Sequence, residues 1–172
     1  MSLLSRLLRP RADEHAPVRK LWHRVVELAR EKAWYAVHGL SDSVPGRFDA
    51  ITLVLALVLL RMERDEALAA QSALLTELFV TDMDGQLRES GVGDLVVGKH
   101  VGKLMGVLGG RIGAYRAALA EADDAALREA LERNLSLNDG SDAAALARDV
   151  RALAARLERT PADALLAGAI AA

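Results

Sequence analysis

Asp82 and Asp84, with Glu77 and Glu89 close by, come nearest in this sequence to an acid–base pair. On a helix, however, positions i and i+2 point in different directions, so these two carboxylates do not converge on one reacting atom. They fall near the C-terminal end of a helical run, where the dipole disfavours negative charge and calls for a cation. That cation can come from within the fold, where Arg88 stands at i+4 from Asp84, or from outside it. The histidines His15, His23, His38 and His100 form no i,i+4 pair and no H-E-x-x-H pattern. His15 and His23 would meet only if the chain between them folded back. Gly91-x-Gly93 and Val97-Gly98-Lys99 invite a phosphate-loop reading. A Walker loop needs G-x-x-x-x-G-K-[ST] after a strand, whereas here Val92 and Asp94 interrupt the spacing, His100 stands where Ser or Thr belongs, and a helix precedes. Lys99, Lys103, Arg111 and Arg116 give the following helix a basic side suited to RNA or anionic lipid. With aromatics at only 3% there is almost no stacking surface for specific nucleic-acid recognition. The absence of cysteine removes thiolate catalysis, disulfides and every cysteine-containing metal site. These residues point to a chain that binds a partner, with no enzymatic activity, no cofactor and no metal.

The elements that position these residues are helical. At 172 residues the chain fits one domain and is long enough to bury a core. Its Ala/Leu-rich composition suits thin side chains between closely approaching helices. From about Val18 to Val37, Leu21, Trp22, Val25, Leu28, Ala29 and Ala33 keep a three-to-four spacing that predicts one amphipathic helix ended by Gly39. After the loop Ser41-Asp-Ser-Val-Pro-Gly46 comes the most apolar run, Ala50 to Leu60. Its branched residues would also suit a buried strand, but the apolar pattern continues into Met62 without a turn signal and favours a helix buried on all sides. Eleven residues are well short of the ~20 needed to span a bilayer. Asp65 is placed to cap a helix from Glu66 to about Glu89. Residues 90–98 then form a glycine-rich corner. Helix resumes near Lys99 and runs to about Ala122, with Gly102, Gly106, Gly109, Gly110 and Gly113 predicted to make a smooth face for another backbone. Asp123 or Asp124 caps a helix to Asn134, a further helix spans about Asp142 to Leu157, and Thr160-Pro161 starts a short last helix or frayed tail over 158–172. The expectation is an all-α, single-domain bundle of about six helices.

Charge is unevenly spread, with eight Lys/Arg against four acids in residues 1–35 and six against ten in residues 121–172. Residues 1–16 read as a basic amphipathic arm and hinge before a helical body over 17–172. Leu3, Leu4, Leu7 and Leu8 share a face with Arg6, Arg9 and Arg11 nearby, a pattern that can lie in a lipid interface or dock on a helix. The arm is too short and too charged for a secretory signal.

The segment Phe79 to Lys99 closely resembles the ubiquinol–cytochrome c chaperone family, assembly factors of the respiratory bc1 complex. The likeness rests on Asp82-Met-Asp84, Leu87-Arg-Glu89, Gly91-Val-Gly-Asp-Leu95 and Val97-Gly-Lys99, on Gly46-Arg-Phe48 leading into the apolar helix, and on Gly110-Arg111 with Tyr115. It covers roughly residues 20–135. The resemblance implies a non-enzymatic, all-helical chaperone that binds newly made cytochrome b near the ribosome and membrane and assists bc1 assembly. In a bacterium that means the cytoplasm, peripheral to the inner membrane. It also implies that Asp82, Asp84, Arg88, Gly91, Gly93, Asp94 and Lys99 belong to a shared surface or corner, joined as partner-binding or motif residues by Lys103 and Arg111. The alternative is a membrane- or ribosome-associated adaptor that contacts RNA or anionic lipid through the basic face. One departure stands out: family members often carry an aromatic pair just before Gly110-Arg111, where this chain has Val107-Leu108-Gly109.

Overall fold

The computed structural model describes residues 13–89 and 97–170, the side chains of 87–89 and 97–100 excepted. The arm, most of the glycine corner, and with it Gly91, Gly93 and Asp94, lie outside the described residues. The helices are α1 (Ala16–Ala29), α2 (Lys32–Ala36), α3 (Val44–Met62), α4 (Ala69–Glu89), α5 (Val97–Ala120), α6 (Ala125–Asn134), α7 (Ala143–Arg159) and α8 (Ala162–Leu166). A 3-10 turn, Glu66–Leu68, leads into α4. The fold is all-α, as expected; the one β-type pairing among the described residues is an isolated bridge between Leu40 and Leu137.

At the centre lies α3. Ser43 caps it by accepting from the Gly46 amide, and Pro45 occupies the first turn, where its missing N–H costs nothing. Every residue from Asp49 to Leu59 is buried, packed among α1, α5 and α7. No described helix is long and apolar enough to cross a membrane. Gly46 has a steric reason to be glycine: a side-chain carbon there would run into the Ser41 carbonyl that crosses the first turn of α3.

Four expectations change. The helix predicted over Val18–Val37 breaks in two, because Glu31 turns to an extended ψ of 130°. The carbonyls orphaned at the end of α1 are then satisfied by side chains from α2, the Trp34 indole N–H donating to Leu28 at 2.7 Å and the Tyr35 hydroxyl to Ala29 at 2.9 Å. Thr160 does not cap the last helix. Its hydroxyl donates back to the Arg156 carbonyl at 2.9 Å, and α8 begins after Pro161; Leu165 and Ile170 are buried and α8 packs against α1. The glycine face of α5 lies against no other backbone among the described residues, since nothing approaches within 4 Å of where side chains on Gly102, Gly106, Gly109, Gly110 or Gly113 would begin. The glycines sit opposite the stripe Leu104, Leu108, Arg111 and Tyr115 that faces the core.

Arg111 is therefore buried, not part of a basic face. Its guanidinium forms an ion pair with Asp49, donates to the Thr52 hydroxyl and to the Asn134 carbonyl at 2.6 Å, and lies 5.8 Å from the Phe48 ring centroid. The second Asp49 oxygen accepts from the backbone and hydroxyl of Ser136, at 2.8 and 2.7 Å. One buried charge pair thus ties α3 and α5 to the end of α6 and to the loop behind it. Tyr115, one turn further along α5, is fully buried, and burial pushes its hydroxyl well above its ordinary pKa.

Replacing Arg111 with Met leaves a buried carboxylate without its cation, so chemical denaturation is expected to show a loss of about 3–5 kcal/mol. The double change with Asp49→Leu should recover a substantial part of it, whereas a surface arginine would give a loss within about 0.5 kcal/mol.

Candidate functional site

Where α1 ends and α2 turns away, the bundle leaves an open groove of about 1260 Å3. Its apolar lining comes from separate elements: Ala36 of α2, Phe48 and Ile51 of α3, Met83 of α4, and Leu104 and Val107 of α5. Val44, 83% exposed, also lines it, and Val37, 67% exposed, stands close by in sequence at the end of α2.

The groove carries more cations than anions. Arg30, Lys32, Arg47 and Lys103 line it, with Asp42 as the carboxylate among the lining residues. Arg47 donates to Asp42 at 2.7 Å, which holds that carboxyl below its usual range and raises the arginine. The position of Phe48 is fixed from below. Phe48 packs on Phe79, which meets Trp22 edge-on at 6.1 Å, and the Trp22 indole N–H donates to Asp82. Aromatic contacts and the Arg111 guanidinium over Phe48 thereby link the groove to α1 and α4.

Of the residues singled out from sequence, the structure brings Lys103 to this groove. Asp82 accepts from the Trp22 indole N–H, and Asp84 is half-buried and likewise engaged. Arg88 lies in the last turn of α4 and Lys99 in the first of α5, with side chains outside the described set. Arg111 supports the groove from the core. His38 is buried against Asp149 at 2.8 Å, His15 lies 3.5 Å from Glu77, and His23 is exposed. Sequence reasoning missed the groove's apolar lining. A signal was present in α5, where Leu104, Leu108, Arg111 and Tyr115 keep core spacing and leave Val107 and Lys103 to one side of it.

The family model described as ubiquinol–cytochrome C chaperone matches residues 36–172, well over half of the chain. The chain belongs to the ubiquinol–cytochrome c chaperone family. It is also similar to the crystal structure of the Cbp3 homolog from Brucella abortus, at 34% identity and a TM-score of 0.80, with 98% of this chain and 96% of that one covered. No curated protein matches it. The family match takes in the groove from Ala36 onward, while Arg30, Lys32 and Tyr35 precede it.

The segment before Gly110 serves both surfaces: Val107 lines the groove and Leu108, 1% exposed, is core. Val107→Trp is expected to fill the groove and cut binding of an apolar dye such as anilinonaphthalene sulfonate several-fold, while the melting temperature changes little. Leu108→Trp should instead cost about 1–3 kcal/mol through overpacking. Unchanged dye binding in the first variant would show that the groove is not the chain's apolar surface in solution.

Proposed function

We propose that this protein is a non-enzymatic chaperone that binds cytochrome b and assists assembly of the ubiquinol–cytochrome c reductase complex, with the groove between α2, α3, α4 and α5 as its client site. The observation that carries this reading is the groove itself, an apolar channel larger than the 300–1,000 Å3 typical of small-molecule pockets, in a chain that belongs to a bc1 chaperone family. Helix-in-groove recognition places the apolar face of one helix into such a channel. A transmembrane segment of a newly made membrane protein presents that face and needs shelter from water until it inserts.

The reading puts the protein in the bacterial cytoplasm at the inner-membrane face, close to where cytochrome b emerges from the ribosome. The Leu/Arg arm supports this placement through its sequence pattern. The alternative, an adaptor that grips RNA or lipid through the basic side of α5, has less support: Arg111 is buried and Arg116 is paired with Glu63 at 2.7 Å.

Affinity purification of the tagged protein from its own membranes in mild detergent, with mass spectrometry, tests the proposal. Cytochrome b is expected to be enriched without the mature complex, and removal of residues 1–11 to lower the share of the chaperone that sediments with membranes. Enrichment of another abundant partner without cytochrome b would contradict the client assignment, and unchanged sedimentation would contradict the role of the arm.

A further inference from the structure

The groove's charge is as distinctive as its apolar lining. Arg30, at the end of α1, Lys32, at the start of α2, and Lys103, in α5, make no ion pair with any described residue, while Asp42 is already taken by Arg47. Among the described residues, three cations without an ion-pair partner therefore line an apolar channel whose lining carboxylate, Asp42, is satisfied. Such an arrangement gives little to a wholly apolar ligand, because the cations keep their water. It repels a segment flanked by lysine or arginine, and favours one whose end is anionic.

The size of the channel narrows the choice further. A helix about 10 Å across with its side chains fills 1260 Å3 in roughly 16 Å, or about three turns. The channel thus covers part of a membrane-spanning helix, and the chain beyond the covered turns must run past the rim.

We infer that the groove selects an apolar helical segment that carries carboxylates at one end, with Arg30, Lys32 and Lys103 receiving those carboxylates while the apolar turns lie on Phe48, Ile51 and Val107. The inference rests on the client-groove reading above and adds to it a rule of choice. Among apolar helices of equal length the chaperone takes the acid-flanked one and leaves the lysine- or arginine-flanked one. A helix C-terminus suits the rim best, since its dipole adds negative potential to that of the side chains. Rim charges act chiefly on the encounter rate and on salt dependence, so the preference fades as salt shortens the Debye length from about 10 Å at 0.1 M toward 3 Å at 1 M.

The test uses the full chain and two fluorescent synthetic peptides with the same Leu/Ala helix, one ending in four glutamates and the other in four lysines, with binding read by anisotropy at low and high salt. The acid-tailed peptide is expected to bind roughly tenfold more tightly at low salt, as three rim ion pairs allow. The preference should shrink at high salt and reverse in the variant Arg30→Glu, Lys32→Glu, Lys103→Glu, with circular dichroism confirming that this variant is folded. Equal binding of both tails that is lost in Val107→Trp would overturn the charge rule and leave the groove reading standing. Binding of neither peptide would overturn the groove reading itself. Competition by anionic phosphatidylglycerol vesicles, but not by neutral phosphatidylcholine vesicles, would assign the cations to lipid headgroups and overturn the inference in favour of a membrane.

Discussion

Arg111 and Asp49 meet at the point where α3, α5 and the end of α6 converge, and the groove depends on that meeting. A charge pair in an apolar interior is costly unless its hydrogen-bonding capacity is filled. Here Thr52, Ser136 and the Asn134 carbonyl supply the missing partners. The geometry leaves α5 little freedom to rotate about its axis, because turning Arg111 away from Asp49 would strand both charges. With that rotation fixed, Leu104 and Val107 take their places along the groove and Lys103 joins its rim. The same guanidinium over Phe48 steadies the opposite wall. A polar contact in the core thus sets the shape of an apolar surface outside it.

The groove exists because the first helix stops early. Had α1 continued to Val37, as its apolar spacing allows, its last turns would have run straight on past Ala29. Instead Glu31 turns the backbone, and Trp34 and Tyr35 fold α2 back by donating to carbonyls that the break exposes. Arg30 and Lys32 are left on the bend, at the mouth of the space between α2 and α3. The 39–41 segment is then tied to the loop after α6, with Ser41 donating to Ser136 at 2.8 Å and Asn138 to Gly39 at 2.8 Å. The loop that satisfies Asp49 is thus the loop that anchors the approach to α3.

Much of this was legible in the residues. The unbroken apolar run into Met62 gave the central helix, and Asp65 caps by side chain as its position suggested, whereas Ser43 and Pro45, which start α3, read only as part of a loop. The resemblance gave the family, on motifs that cluster around the glycine corner. What the sequence did not reveal are interactions across long separations. Trp34 and Tyr35 read as ordinary members of a helical run, because nothing local says that their polar ends will serve the helix before them. Arg111 read as one more cation on a basic helix, although Leu104, Leu108 and Tyr115 place it on the apolar stripe. Only the knowledge that Asp49 lies opposite explains why a charge belongs there. The groove was hidden for a related reason: its lining is drawn from five helices, and no one of them carries a pattern that separates a groove wall from a core face.

The central claim is that this groove, and no other face of the bundle, receives the client. Photo-cross-linking in living cells tests it most directly, with a benzophenone amino acid introduced at Val107 and, as a control, at the exposed Glu132 of α6. The account predicts cross-links from position 107 to an apolar segment of cytochrome b and none from position 132. Cross-links to cytochrome b from position 132 with none from position 107 would contradict it.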